Sequence, residues 1–141
     1  MKGKPIITRI EVIEFTDQLR DVGLDPTGAI PTYSPGSTYT RHACALKVYT
    51  NVGIVGEYAG WQKADAAGIA EFAGRLIGMN ALERELIYEE TKLATRQIGR
   101  LGMGVLDVAL WDIAGRYYDA PIYELLGGYR TKLPCYASTM N

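Results

Sequence analysis

The carboxylates of Asp107 and Asp112 stand in a mostly apolar stretch, where an acid needs a partner or a shifted pKa to be tolerated. A setting of this kind is typical of catalytic acids. The spacing of the two residues, however, directs them to different sides of a helix, and Arg116 follows Asp112 by one turn. We therefore favour structural ion pairing over catalysis for these aspartates.

His42 is the only histidine of the chain, and so the one side chain expected to titrate near neutral pH without a perturbed pKa. It shares strand parity with Cys44 and Leu46, which predicts a ring directed into the core. No serine, cysteine or aspartate accompanies it in a recognisable triad motif. We predict a structural histidine rather than a catalytic one.

The two cysteines, Cys44 and Cys135, form no CxxC pair and have only His42 as a nearby soft ligand. Both fall in predicted strands that are far apart in the sequence. We therefore predict two buried thiols rather than a metal site.

A glycine-rich segment, Gly99 to Gly104, has a composition that in other contexts binds phosphate through backbone amides before a helix. A predicted helix precedes it here, whereas a phosphate-binding turn follows a strand. We predict that its glycines let two helices approach and reverse direction.

Four large aromatic rings and one arginine fall near predicted loops, and loops would hold them at one end of the sheet. Tyr33 and Tyr39 lie in a long loop, Arg41 follows it, and Tyr58 and Trp61 stand at the end of the third strand. The alternative is that these are ordinary surface loops with incidental aromatic residues.

The elements that must position these residues begin with three strands. β-Branched residues and alternating polarity predict strands over 6–15, 41–50 and 54–58, with Ile6, Ile10 and Val12 inward on the first. Glycines and prolines predict a loop over 16–40, a length typical of a lid or binding loop. The short reversal at 51–53 completes an antiparallel meander.

Helices follow the strands. Ile69, Phe72 and Leu76 repeat at the spacing of a helical face, and Asn80 with Glu83 forms a capping-box pattern before the next helix. We predict that Leu82, Leu86 and Leu93 line one face of that second helix. Three strands followed by about three helices predict an α+β domain with the helices on one face of the sheet.

The third helix, over residues 106–117, is apolar on nearly every side. Its apolar positions step by three and four, but Val105, Val108 and Trp111 interrupt the polar side. We predict that this helix needs a partner surface beyond the rest of the chain, and that an isolated domain exposes one side of it.

Length and composition limit the classes of function that this chain could have. The 141 residues suit one domain with its own core, and 48% hydrophobic and 22% charged residues are typical of a soluble globular protein. A net charge of −1 without a basic block disfavours nucleic acid and anionic membranes as partners. The start of the chain lacks the continuous apolar core of a signal peptide, so we expect a cytoplasmic protein.

Two motifs are familiar. Residues 107–115 read DVALWDIAG and residues 121–128 read PIYELLGG, and together with Gly53 to Glu57 they resemble the N-terminal domain of the mandelate racemase and muconate lactonizing enzymes, in the enolase superfamily. In that family the small domain packs against a modified TIM barrel. The resemblance implies an N-terminal capping and specificity domain over 1–128, and a linker with the first barrel strand over 129–141, the barrel itself being absent.

For the complete enzyme, the resemblance implies abstraction of the proton α to a carboxylate, with Mg²⁺ bound by the barrel stabilising the enediolate. Racemases, cycloisomerases and acid-sugar dehydratases share this step. The implied partners are the chain's own C-terminal barrel, a small carboxylate or sugar-acid substrate and further copies in a homo-oligomer. No catalytic residue and no metal ligand is expected in this chain.

The same resemblance implies a role for the two aromatic segments as a lid over the barrel mouth. The residues expected to form this lid over the substrate pocket are Tyr33, Tyr39, Arg41, Tyr58, Trp61 and Ser138. The alternative function is a stand-alone, non-catalytic module that binds a ligand or a protein. The sequence leaves the substrate open.

Overall fold

A computed structural model describes residues 3–61 and 63–136, without the side chain of Trp61. Three strands precede four helices in the described part of the chain. In order they are β1 (Ile7–Leu24), β2 (Pro31–Thr50), β3 (Val55–Trp61), α1 (Lys63–Leu76), α2 (Arg84–Ala94), α3 (Met103–Tyr118) and α4 (Ile122–Leu125). The sheet order is β1-β2-β3, which confirms the predicted α+β class, and these residues form no TIM barrel.

The chain divides into two compact units. One unit, here called the helical body, contains Met1–Glu14 and Ala43–Gly128. The other contains Phe15–His42, here called the hairpin arms, together with Tyr129–Asn141. Strands β1 and β2 contribute to both units.

The core of the helical body lies between the sheet and the helices. Cys44, Leu46 and Val48 are buried on one side of β2, as their alternation predicts. β2 pairs antiparallel with β3, with Leu46 opposite Tyr58 and Val48 opposite Gly56. On β1, Ile10 and Val12 pack against the core as predicted, but Ile7 rather than Ile6 is buried in it.

The prediction of an inward His42 is wrong, because this residue is exposed. The strand pairing is irregular between Cys44 and Ala45, and Ala43 and Cys44 are both buried. Two consecutive buried residues break the strict alternation of the strand, so parity counted from Leu46 does not extend to positions before Ala43.

The predicted loop over 16–40 is also wrong, since β1 runs to Leu24 and β2 begins at Pro31. Pro26 and Gly28 lie in the turn between the strands, whereas Gly23, Pro35 and Gly36 lie inside the strands. Asp21 has a φ of 57° and Gly36 a φ of 77°, and the Gly36 N–H donates to the Asp21 carboxylate at 2.8 Å. Glycine and proline are therefore accommodated here without ending the strands.

The predicted face of α1 is confirmed, since Ile69, Phe72 and Leu76 are buried. The predicted face of α2 is wrong, because Ile87 and Thr91 are buried while Leu86 and Leu93 are exposed.

Asn80 does accept the Leu82 N–H and donate to Glu83, both at 3.2 Å. Helix α2 nevertheless begins at Arg84, and no side chain caps it. The capping pattern therefore closes the turn that precedes this helix.

Helix α3 packs against β3, α1, α2 and α4. Its buried residues are Met103, Val105, Leu106, Ala109, Leu110, Ile113 and Ala114. The helical body thus covers more of α3 than the sequence predicts, although Val108 is 41% exposed and Tyr118 is also exposed.

In the described part of the chain, no helix has the length and apolar character needed to cross a membrane.

Candidate functional site

Asp112 anchors a chain of charges that joins α3 to the sheet. Its carboxylate accepts the Glu57 N–H at 3.0 Å and the Arg116 Nε–H at 3.0 Å. Arg116 approaches the Glu57 carboxylate at 3.7 Å, and Lys47 Nζ lies 2.9 Å from that carboxylate on the other side. The structural ion pairing predicted for Asp112 is therefore present.

The electrostatics of this chain follow from its geometry. The hydrogen bond from Lys47 lowers the pKa of Glu57, with a smaller contribution from Arg116, and the same bond raises the pKa of Lys47. The hydrogen bond to Asp112 raises the pKa of Arg116. Each group is held in its charged form, which suits a structural network and not a group that exchanges protons near neutral pH.

Asp107 has a different environment, on the other side of α3. Partial burial raises the pKa of its carboxyl, while the positive charge of Arg84 opposes this. The Arg84 guanidinium lies 3.7 Å from the centre of the Trp111 ring. Asp107 lines a small crevice between α2 and α3 that also contains Tyr88 and Thr91. The crevice is mostly apolar and small, and a non-catalytic role for this acid stays a prediction.

Gly56 allows α3 to lie directly on β3. A Cβ atom at this position would collide with the carbonyl oxygen of Ala109 and lie 2.6 Å from Ile113. The missing side chain therefore sets the distance between helix and strand that the Asp112–Glu57 bond requires.

The glycine-rich segment joins α2 to α3 and has a helix before it, as predicted. The Gly102 N–H donates to the Asp65 carboxylate of α1 at 2.8 Å. A Cβ on Gly68 of α1 would collide with the carbonyl oxygen of Leu101. The Gly102 amide is thus used within the protein, and Gly102 allows a close approach to α1, whereas nothing lies within 4 Å of a Cβ placed on Gly99 or Gly104.

The hairpin arms carry three of the predicted lid residues on β2. Tyr33 is 72% exposed, Tyr39 is half-buried and Arg41 is exposed. The Arg41 guanidinium donates to the Asp17 carboxylate of β1 at 2.8 Å. This partner was missed because residues 16–40 were predicted to be a loop, which hides cross-strand neighbours. Arg41 retains further N–H donors for an anionic or hydroxylated ligand.

The tip of the hairpin arms is fixed by Asp25. Its carboxylate accepts the Ile30 and Ala29 N–H groups at 3.0 Å and the Thr27 hydroxyl at 2.8 Å. The Ile30 bond, followed by the Thr27 bond, lowers the pKa of Asp25. An Asp followed by Pro, Thr and Gly is a recognisable turn signal, so the sequence could have placed this tip.

The other predicted lid residues lie elsewhere. Tyr58 is 38% exposed on β3 of the helical body, beside an open hollow lined by Ala45, Lys47 and Glu57. Trp61 ends β3 opposite Cys44 in the strand register. Ser138 lies outside the described residues. Tyr33, Tyr39 and Arg41 share one unit and Tyr58 and Trp61 the other, and their common role stays a prediction.

The thiols differ from their prediction in one respect. Cys44 is buried, and burial raises the pKa of its thiol, whereas Cys135 is exposed rather than buried. Residues 129–136 form neither helix nor strand, so nothing packs this thiol into a core. The first barrel strand predicted there stays a prediction, because a barrel strand needs neighbours.

Magnesium finds no fitting set of ligands here. Among residues 3–61 and 63–136, no group of three or more histidine, cysteine or carboxylate side chains is arranged to hold a metal ion. The acids of the Asp112 chain are already bound to cations and a backbone amide.

The sequence matches the family "Mandelate racemase / muconate lactonizing enzyme, N-terminal domain" over residues 26–127. It is 36% identical over 117 residues to the D-galactarolactone cycloisomerase of Agrobacterium fabrum (strain C58), covering 77% of this chain and 31% of that protein. It is 33% identical over 99 residues to the D-xylonate dehydratase of Haloferax volcanii, covering 64% and 24% of the two chains. The chain thus spans about a third or less of these relatives.

Solved structures agree. The D-glucarate dehydratase of Agrobacterium tumefaciens, complexed with magnesium, superposes with a TM-score of 0.72 at 29% identity, over 91% of this chain and 34% of that one. An enolase superfamily member from Polaromonas sp. JS666 gives 0.71 at 29% identity, over 94% and 36%. Because the family match covers most of the chain and the fold agrees, this chain belongs to the mandelate racemase/muconate lactonizing enzyme family of the enolase superfamily, as its N-terminal domain.

Proposed function

We propose that this chain is the substrate-specificity domain of a Mg²⁺-dependent enzyme that abstracts the proton α to a carboxylate, as a racemase, cycloisomerase or acid-sugar dehydratase. The observation that carries the proposal is the family match over residues 26–127, with relatives whose names denote a cycloisomerase and a dehydratase of sugar acids. In this proposal the catalytic acids and bases and the metal ligands belong to a barrel domain. Mg²⁺ bound there would stabilise the enediolate.

Arg41 supports the substrate class. It presents a guanidinium on an exposed β2 position, and such a group suits the carboxylate and hydroxyls of a sugar acid. Asp17 holds Arg41 in place at 2.8 Å, so its remaining donors are oriented before a ligand arrives. We propose that the arms and the end of β3 exclude water and select the distal end of the substrate.

The proposed partner of the helical body is the barrel. Apolar side chains remain exposed on its later elements, and they include Val108, Tyr118 and Leu126. Burial of such residues against a second domain is favourable at about 25 cal/mol per Å² of apolar surface. These positions support a docking surface on and after α3.

The experiment is a graft between relatives. The segment of the D-galactarolactone cycloisomerase that aligns with residues 15–42 is replaced by those residues, and α-proton exchange in D₂O is measured on a panel of sugar acids. We expect exchange to persist while the ratio of kcat/KM values among substrates changes at least about tenfold. A matched control grafts α1, Lys63–Leu76, and should leave the ratios unchanged.

A folded hairpin chimera with unchanged ratios would contradict the specificity role. Loss of exchange on every substrate in a folded chimera would contradict the division of labour, since it would place a catalytic group in the cycloisomerase segment that was replaced.

The companion measurement addresses the metal. Titration of the 141-residue chain with Mg²⁺ should reveal no tight, stoichiometric site. A carboxylate-rich site with octahedral coordination in this chain would contradict the proposal.

The second candidate is a stand-alone binding module. It is favoured by the helical body, whose core is closed by its own residues from Ile7 to Ile113. Binding of a sugar acid by the isolated chain, lost in Arg41→Ala, would favour this module over a domain that acts only beside a barrel.

A further inference from the structure

The turn between α2 and α3 carries two arginines without an acidic partner. Arg96 and Arg100 are exposed, and within the described part of the chain no ion pair joins either residue to a carboxylate. By contrast, Arg41 and Arg116 each bind an aspartate. The two guanidinium groups of the turn therefore keep their N–H donors available for a ligand.

The two arginines line the same groove. The other lining residues come from α2, and they are Glu89, Lys92 and Leu93. The groove encloses about 310 Å³, at the lower end of the roughly 300 to 1,000 Å³ that is usual for small-molecule sites. Its size therefore suits a small ligand.

The charge of the groove is positive on balance. Lys92 Nζ lies 3.1 and 3.2 Å from the two carboxylate oxygens of Glu89, so these two charges compensate each other. The same nitrogen lies 5.4 Å from the centre of the Tyr88 ring, a second contact within α2. The charges of Arg96 and Arg100 have no such compensation, and a ligand of charge −2 would balance them.

The backbone of the turn fixes the position of Arg100. The Thr95 carbonyl oxygen accepts the Ile98 N–H at 3.0 Å and the Arg100 N–H at 3.3 Å. Thr95 is itself buried, and its hydroxyl donates to the Thr91 carbonyl oxygen at 2.8 Å. Arg100 has a φ of 63°, in the left-handed region where a residue with a Cβ is strained. An arginine thus stands where glycine would cost less, which indicates a use for its side chain.

We propose that this groove binds a tetrahedral oxyanion of charge −2, the phosphate group of inorganic phosphate or of a small phosphate monoester. A phosphate has oxygens for both guanidinium groups at once, whereas one bidentate arginine already fills a carboxylate. The donors are side chains, so the site does not need the Gly102 amide, which is bound to Asp65. Leu93 is 57% exposed beside the arginines and would contact the carbon chain of an ester.

The test is isothermal titration calorimetry of the 141-residue chain with inorganic phosphate near pH 8, where the dianion predominates. We expect one saturable site per chain with a Kd below about 1 mM. Arg96→Ala and Arg100→Gly should each weaken binding at least about tenfold, because each removes a charged donor. The matched control is Arg75→Ala, at an exposed arginine of α1 outside the groove, which should bind phosphate like the parent.

The glycine variant separates binding from folding. Glycine adopts a φ of 63° without strain, so Arg100→Gly should be at least as stable as the parent in the absence of phosphate. Added phosphate should raise the Tm of the parent, because it binds the folded chain, and should leave the Tm of Arg100→Gly nearly unchanged.

A second titration distinguishes the two sources of the phosphate group. Glycerol phosphate carries the same dianion on a short carbon chain. A gain in affinity over inorganic phosphate identifies a monoester as the ligand, and Leu93→Ala should remove that gain. Equal or weaker binding identifies the free ion, and both results support the site.

Three results would overturn the proposal. One is the absence of saturable binding up to about 10 mM phosphate. Another is an unchanged affinity in both Arg96→Ala and Arg100→Gly. The third is an equal loss of affinity in Arg75→Ala, which would indicate attraction by the overall charge of the chain. None of these results bears on the specificity role proposed above, since the groove lies outside the hairpin arms.

Discussion

The carboxylate of Asp112 on α3 accepts the backbone N–H of Glu57 on β3 at 3.0 Å. This bond joins the most apolar helix of the chain to the edge strand of its sheet, at the point where Gly56 brings the two backbones together. Arg116, bound to the same carboxylate, reaches the Glu57 side chain. Asp112 thus holds the Glu57 backbone directly and, through Arg116, the charged side chain of Glu57.

We expect Asp112→Ala to lower the free energy of unfolding by about 1 to 2 kcal/mol, because the Glu57 N–H and Arg116 both lose their acceptor. Urea denaturation measures the change. The matched variant is Asp107→Ala on the same helix, where burial raises the pKa of the carboxyl and so opposes its charged form. That variant should leave the free energy of unfolding unchanged or raise it, and the reverse order would contradict this assignment.

We expect stability to depend on pH through Glu57. Its pKa is lowered below the ordinary value of 4.5 in the folded chain, so the unfolded chain binds more protons between the two values. The stabilisation is therefore present above pH 4.5 and is lost as the pH falls through the folded pKa. Urea midpoints of the parent and Glu57→Gln should differ near neutral pH and converge in acid.

The control for this pH series is Glu71→Gln, which removes an exposed carboxylate from α1 without touching the network. A Glu57→Gln difference that grows as the pH falls would contradict the sign of the linkage.

We expect Gly56→Ala to lower the free energy of unfolding by about 2 to 3 kcal/mol, since the new methyl group meets the Ala109 carbonyl oxygen and α3 must move. The control is Gly74→Ala on α1, where nothing lies within 4 Å of the added methyl group. Alanine favours a helix over glycine, so this variant should gain up to about 1 kcal/mol. Equal losses at both positions would show that the strand–helix contact is looser than described.

We expect the two thiols to react at very different rates. Cys135 is exposed, whereas Cys44 is buried and burial raises the pKa of its thiol. A disulfide reagent such as DTNB should modify Cys135 promptly and Cys44 more than about a hundred times slower, on opening of the body. In Cys135→Ser the fast phase should vanish, while in Cys44→Ser it should remain. A fast phase that is lost in Cys44→Ser instead would contradict the burial of Cys44.

The sequence predicted the parts of the fold that local periodicity controls. The strand alternation at Leu46 and Val48 and the helical face at Ile69 and Phe72 are both found in the structure. The predictions were wrong where the sequence pattern allowed either of two sides of a helix or strand to be buried. On α2, Leu86 and Ile87 are both apolar, and packing against α3 decided that Ile87 is buried. On β2, the pairing with β3 becomes irregular between Cys44 and Ala45, and His42 is exposed although it shares parity with Leu46.

Among the candidate-site residues, too, local contacts were predictable from the sequence and distant contacts were not. The Asp112–Arg116 pair was predictable because residues four apart on a helix are neighbours. The Arg41–Asp17 pair was not, since it joins residues 24 positions apart across a hairpin whose strands contain turn-forming residues. Glycine and proline inside β1 and β2 act as local irregularities that cross-strand hydrogen bonds hold in place, and sequence alone gives no account of those bonds.

The sequence by itself determined the α+β class, the order of the elements and, through the wording of residues 107–115 and 121–128, the family. Only the tertiary structure decided which side of α2 faces water, which glycine lets α3 lie directly on β3, and that Asp112 bonds to the Glu57 backbone. The physical reason is the range of the interactions. Hydrophobic periodicity and turn chemistry act over a few residues, whereas burial and backbone contact depend on residues distant in the chain.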